Sequence, residues 1–352
     1  MRPSGRLCLE VRTRMKAAVM RAVGEPLVIE DIPVPQIGPG EALVESCTSG
    51  ICGTDLHILA GHGYVPRLPH ILGHEPSGIV AEVASGVTNI CPGDRIVPHL
   101  FFNCGRCYFC RIGRQQQCTE LNGILGVLCP GAFAGYFKAP AANLFKLPNN
   151  VPSDEGGLIA DAVVTSVHAV KRAQMQIGET AVIIGAGGIG QVLTQILTAS
   201  GIKVIATART PEKLGIAKRM GANLTLRTSD PETLSAIVEF TSGGAQCVFD
   251  CVGTAQSMRD AADYLMRGGR IIVIGEEPQF PQIDTIQIAQ RELEIVGSRN
   301  GTRQDTVDAI RLVESGVVKP YIAARFPLEQ INDAMNATRQ GSLGRVVVVV
   351  KE

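Results

Sequence analysis

From residue 15 to about residue 162, apolar residues come in short runs separated by turn-forming Gly and Pro. The runs at 17–20, 42–44, 78–83 and 95–97 are strand-sized. Turn signals such as Ile37-Gly38-Pro39-Gly40 and Cys91-Pro92-Gly93-Asp94 divide the segment. Short strands at this spacing predict an antiparallel barrel or sandwich. Near Val163 the pattern changes. Apolar runs at 181–184, 203–207, 247–249 and 270–274 read as buried parallel strands, with 191–200, 211–220 and 257–266 as helices between them. Such alternation describes a doubly wound α/β sheet. Beyond residue 299 the pattern predicts one more helix and a final strand over 345–351, free to return to the first domain.

Length and composition bound the reading. At roughly 100–200 residues per domain, 352 residues suggest two domains. Hydrophobic residues make up 45%, enough for a large core, and formal net charge is zero. No basic field exists to hold nucleic acid or an anionic membrane. No apolar run approaches the ~18–20 residues of a membrane span. The first fourteen residues carry Arg2, Arg6, Arg12 and Arg14 against one acid, Glu10, and have no apolar core. They read as an N-terminal extension, with the fold opening at Met15. Eleven cysteines, an odd number with four inside fifteen residues, suit metal thiolates in a reducing cytoplasm better than a disulfide scaffold.

Those four, Cys104, Cys107, Cys110 and Cys118, form C-x2-C-x2-C-x7-C. Four thiolates from one short loop close a tetrahedral shell around zinc and leave no position for substrate, which makes the site structural. A chance cluster and an iron–sulfur centre are the competing readings. Two other segments carry reactive groups: Gly50-Ile51-Cys52-Gly53-Thr54-Asp55-Leu56-His57 and Gly73-His74-Glu75-Pro76-Ser77-Gly78. Cys52 and His74 are good zinc ligands. A catalytic zinc takes about three protein ligands and keeps one position open, so a third donor must lie elsewhere. Asp161, in the apolar stretch Leu158-Ile159-Ala160-Asp161, is the candidate, because an unpaired carboxylate there is costly. Singly these residues say little: a lone His is more often a core or surface residue, and a lone Cys a small hydrophobe. The combination carries the argument.

Gly185-Ala186-Gly187-Gly188-Ile189-Gly190 fits G-x-G-x-x-G between an expected strand and an expected helix, the context that separates a dinucleotide site from an ordinary glycine turn. Gly185 permits the turn, Gly187 lets backbone approach a pyrophosphate, and Gly190 allows helix–strand packing. The helix N-terminus faces the phosphate charge. An enzyme built for NAD usually carries Asp or Glu roughly 20 residues further on. Here the second strand ends in Ala208, followed by Arg209 and Thr210, with Lys213 close by. That favours NADP, since guanidinium suits phosphate; the alternative is that Arg209 stacks on adenine.

Taken together, these motifs resemble the zinc-containing medium-chain alcohol dehydrogenases, from about Met15 to the C-terminus. Gly73-His74-Glu75-x-x-Gly78, followed by Ala84 and Val87, looks like that family's zinc signature. The resemblance implies a GroES-like β-barrel catalytic domain of residues 15–162 and 301–352, a Rossmann coenzyme domain of residues 163–300, and an active site between them. It implies two zinc ions per chain: a structural one on the four cysteines and a catalytic one on Cys52, His74 and Asp161, with Glu75 as an alternate ligand. Asp55 would orient His74, Thr54 and His57 would relay a proton through the nicotinamide ribose, Thr165 and Ile189 would touch the nicotinamide, and Arg345 would lie near the pyrophosphate. The same resemblance implies a homodimer or homotetramer acting on a small alcohol, aldehyde or ketone.

Many members carry Cys at the position of Asp161. Aspartate there, in Asp161-x-x-x-Thr165-x-x-His168, resembles the bacterial NADP-dependent secondary alcohol dehydrogenases, which share the small-residue-then-Arg pattern of 208–209 but lack the four-cysteine lobe. Rival readings are a polyol or sugar dehydrogenase of the same superfamily and a non-catalytic dinucleotide-binding protein on this fold. A zinc-free reductase is disfavoured because both zinc sets are intact. Pocket walls are not legible; His62, Tyr64, Phe101 and Phe102 are scattered candidates.

Overall fold

Strand Glu41–Ile51 organises the first half of the chain. It pairs antiparallel with Glu75–Val83 and, through its first residues, with Tyr136–Pro140. Its last residues pair with the C-terminal strand Arg345–Val349, which therefore returns to this sheet. Arg95–Pro98 and Leu144–Lys146 extend one side and Ile322–Pro327 the other, giving seven strands. A three-stranded sheet of Val28–Pro33, Arg14–Met20 and His70–Ile71 packs against the same core, in which Ala17, Val44, Ile96, Phe133, Phe137 and Val348 are buried. These features come from a computed structural model describing residues 13–351; of the extension expected over 1–14, residues 1–12 lie outside them.

The second sheet has six parallel strands in the order Leu224–Arg227, Lys203–Ala208, Thr180–Ile184, Ala245–Asp250, Leu265–Val273, Glu294–Gly297. Sheet growth reverses between the third and fourth of these, which opens a crevice beyond their carboxyl ends. Helices Gly188–Ala199, Pro211–Arg219, Thr233–Thr241 and Ala255–Tyr264 connect the strands, and separate apolar cores lie on the two faces. No helix among the described residues is long and apolar enough to cross a membrane.

Several elements differ from the apolar pattern. The edge strands Leu224–Arg227 and Glu294–Gly297 are only half covered, so they present no continuous apolar run to read. The helix expected to reach Met266 stops at Tyr264, and the next strand begins at Leu265; Arg267-Gly268-Gly269 hides that early start. Beyond residue 299 there are two helices, Arg303–Glu314 and Ile331–Arg339, where the pattern predicts one. The second buries only Ile331, Ala334 and Met335. Near Val163, where the pattern changes character, there is no linker. Ser153–Leu158, Ile159–Val163 and Val164–Ala173 form one helical run, and its middle portion is a widened π turn. Such turns often mark functional positions, and this one carries Asp161.

Candidate active site

Cys52 directly follows the central strand, which ends at Ile51, and occupies the N-cap of helix Gly53–Leu59. Its backbone N–H donates to Asp55 Oδ2 at 2.9 Å. The other oxygen of Asp55 lies 3.1 Å from His74 Nδ1 and accepts from the Gly73 N–H at 3.3 Å. One fully buried carboxylate thus holds the backbone of one candidate ligand and the ring of the other, leaving His74 Nε2 free for a metal. Cys52 Sγ stands 3.5 Å from Asp161 Oδ2, and His74 Nε2 stands 3.9 Å from the same oxygen. Tetrahedral zinc with bonds of about 2.0–2.3 Å sets its ligand atoms roughly 3.3–3.8 Å apart. The three donors therefore surround a space of nearly the right size, and their chemistry (thiolate, imidazole, carboxylate) is zinc chemistry.

Glu75 offers a fourth oxygen to the same cluster. It is fully buried, and Gly50 makes room for it, since a Cβ there would collide with its carboxylate. Burial pushes the Glu75 carboxyl up to about 8, with Asp161 adding to the rise and Arg345 opposing it. Burial also acts on Asp161, but the charges of His74 and Arg345 outweigh it and hold that carboxyl down at about 2. Arg345 Nη2 lies 2.9 Å from Glu75 Oε1 and 3.6 Å from Asp161 Oδ2. The same guanidinium lies under Gly188, where a Cβ would strike it. Arg345 thus stands between this donor cluster and the glycine loop.

Every sequence-predicted catalytic or cofactor residue except the buried Glu75 lines one cleft of about 760 Å³. Its floor holds Cys52, His74 and Asp161; Thr54 Oγ1 is 3.8 Å from Cys52 Sγ. His57, one turn along the same helix, is partly exposed and lies 3.8 Å from Glu277. The cleft then runs past Thr165 and Ile189 to the glycine loop. Gly185 adopts φ +95°, and a Cβ on Gly190 would collide with the Gly185 carbonyl, whereas a Cβ on Gly187 would meet nothing within 4 Å. Backbone at Gly187 is open to a ligand, at the start of helix Gly188–Ala199. The far end is formed by Ala208, Arg209 and Lys213. Burial, and then the Arg209 charge, lowers the Lys213 ammonium pKa. Of the scattered wall candidates, Tyr64 and Phe101 line the cleft, whereas His62 and Phe102 do not. Leu100, Ile124, Val127, Arg299 and Asn300 also line it. No local motif marks these residues; the fold alone gathers them.

The four cysteines form a second cluster. Sγ separations are 4.0 Å for Cys104–Cys110, 3.5 Å for Cys107–Cys110 and 3.8 Å for Cys107–Cys118, close to the ~3.8 Å edge of a tetrahedral zinc tetrathiolate. Backbone N–H groups of Cys104 and Cys107 point at Cys118 and Cys104 sulfurs. Without a cation, burial pushes the Cys118 thiol up to about 12, whereas backbone N–H donors draw Cys107 down to about 6. A divalent ion would let all four ionise together.

Two family descriptions match parts of the chain. The description "Alcohol dehydrogenase GroES-like domain" matches residues 38–149, and "Zinc-binding dehydrogenase" matches residues 188–315. An alcohol dehydrogenase of Geobacillus stearothermophilus is 35% identical over 339 residues, covering 96% of this chain and 100% of that one. An L-threonine 3-dehydrogenase of Rhizobium etli is 31% identical over 342 residues, covering 95% and 98%. A solved structure from Sinorhizobium meliloti 1021 bound to NADP superposes with a TM-score of 0.89 at 29% identity, covering 96% of this chain and 100% of that one. Other solved relatives hold NADH or NAD.

Proposed function

The chain belongs to the zinc-containing medium-chain alcohol dehydrogenase family, and from that premise we propose that it oxidises a primary or secondary alcohol to the aldehyde or ketone with NADP, and catalyses the reverse reduction. The observation that carries this reading is the Cys52–His74–Asp161 donor set on the floor of a cleft that continues to the glycine loop. Residues 15–162 and 301–352 would act as the catalytic domain and 163–300 as the coenzyme domain.

Cys52, His74 and Asp161 would hold zinc, with Glu75 within the same donor cluster. Bound there, zinc supplies a Lewis acid that lowers the pKa of an alcohol; the hydride chemistry belongs to the nicotinamide. Thr54 Oγ1 would accept the alcohol proton as it gives up its own hydroxyl proton, and His57, at the partly exposed side of the cleft, would take up the relayed proton and release it to water. Leu100, Phe101, Ile124 and Val127 give the reacting end an apolar wall that limits water. Absorbance at 340 nm with a panel of alcohols, polyols and L-threonine, and with both cofactors, tests the proposal. Oxidation of simple alcohols is expected; a panel without turnover would overturn it.

His57→Gln should slow turnover at neutral pH and leave zinc content unchanged. Acid–base groups commonly contribute about 10²–10⁴-fold, and less where water can take over. Loss of a zinc on this substitution would make His57 a ligand and not a relay.

The preference for NADP rests on the end of the second strand of the parallel sheet and the cations just beyond it. Ala208 offers no carboxylate to bond a ribose or repel a phosphate, and Arg209 and Lys213 line the cleft together. A phosphate placed there would offset the mutual repulsion of these cations. Arg209→Ala should raise KM for NADP about 10-fold or more, from the loss of a charge-assisted hydrogen bond, and leave NAD kinetics nearly unchanged. Equal or better kcat/KM with NAD in the unmutated enzyme would contradict the preference.

A further inference from the structure

Four non-glycine residues among those described have positive φ: Gln174, Ser242, Glu292 and Asn300. The first three are C-caps of helices, where a left-handed residue commonly ends the helix. Asn300, at φ 40°, caps nothing; it precedes Gly301 and the N-cap Thr302. Asn tolerates this conformation better than most residues, but tolerance does not explain why the chain needs it here.

The side chain supplies the reason. Asn300 is nearly fully buried, and its Nδ2 donates to Asp161 Oδ1 at 2.9 Å and to the Ala160 carbonyl at 3.3 Å. Both partners are acceptors and Asn300 Oδ1 has none of its own, so the amide cannot be turned over without facing oxygen to oxygen. Thr165 Oγ1 donates to the same Asp161 Oδ1 at 2.9 Å. Two donors therefore occupy one oxygen of Asp161. The other, Oδ2, is the one that faces Cys52 Sγ and His74 Nε2.

We propose that Asn300 is a positioning residue for the metal ligand Asp161: its amide, held in place by the left-handed turn, fixes Oδ1 so that Oδ2 alone is presented to the metal. The inference rests on the functional reading above. A carboxylate can rotate, bind through either oxygen or bind through both, and two fixed donors remove that freedom. A cysteine ligand has a single sulfur and nothing for Asn300 to fix. The residue's contribution is thus specific to aspartate at 161.

The test is the rate at which a chromophoric chelator removes zinc from the holoenzyme. Asn300→Gly removes the amide in a residue that adopts positive φ without strain, and Asn300→Asp keeps the shape but loses the donor. Both should release the Cys52–His74–Asp161 zinc about 10–100-fold faster, the usual cost of losing a group that orients a ligand. The zinc on the four cysteines should leave at its original rate. In the Asp161→Cys background, Asn300→Gly should change release less than about twofold, since a sulfur ligand has no second donor atom to orient. Unchanged release in the Asp161 background would overturn the proposal, as would equal acceleration in both backgrounds. Unmutated protein that binds zinc only at the four cysteines would overturn the functional reading itself, a different failure.

Discussion

Cys52→Ala is expected to leave a folded chain with turnover lost and, on the two-site proposal, zinc content down from two per chain to one. Cys52 is one of the three donors around the cleft floor, and among the described residues no other thiol belongs to that set. Removing it takes away the thiolate and leaves His74 with the carboxylates of Asp161 and Glu75, the latter already paired with Arg345 at 2.9 Å, so the site should no longer hold zinc well. The Lewis acid is worth several kcal/mol of transition-state stabilisation, so kcat should fall by roughly 10³-fold or more. The fold should survive. The N–H of residue 52 still donates to Asp55, and the alanine side chain is smaller than the cysteine it replaces, so no packing is forced apart. Metal analysis, kcat and thermal midpoint on one preparation check this. Retained turnover at one zinc per chain would mean that the chemistry lies elsewhere.

Cys107→Ser should have the opposite signature: a large loss of stability, with activity lost only as far as folding is. The lobe has little else to hold it. Helix Tyr108–Arg111 is one turn long and buries none of its residues. Gly105, Arg106, Tyr108 and Arg111 are exposed. Structural zinc contributes on the order of 10–16 kcal/mol in small zinc-binding peptides, against a total stability of only about 5–15 kcal/mol for most proteins. Its loss would be felt beyond the lobe. The Gln116 carbonyl, two residues before Cys118, accepts from Arg299 at 3.1 Å, and Gln116 Nε2 lies 3.3 Å from His168 Nε2. The thermal midpoint should fall by many degrees, or the protein should become insoluble. An unchanged midpoint would show that the four cysteines are not a folding element.

Locality decides which parts of the site the sequence displays. The four cysteines and the glycine loop are each contiguous, so spacing alone reveals them. Cys52 and His74 lie on separate segments, yet each sits in a recognisable short motif. Asp161 is reached only by asking where a third donor could lie and by resemblance. Its setting, a π turn inside an unbroken helical run, has no signature in the apolar pattern. Arg345 is expected near the pyrophosphate; its ion pair with Glu75 depends on the C-terminal strand pairing beside residue 51, a long-range contact that no local pattern encodes. Asn300 is invisible for the same reason. It is one polar residue in a loop, 139 positions from the carboxylate it holds. The half-covered edge strands escape the pattern because a partly solvated strand shows no continuous apolar run.

The most direct test removes metal and measures turnover in the same sample. As a chelator acts on the holoenzyme, zinc content should fall from two per chain to one while alcohol oxidation with NADP falls to zero in step. Added zinc should restore both. Full turnover after the first zinc has gone, or turnover that falls only as the second leaves, would contradict a catalytic zinc on Cys52, His74 and Asp161.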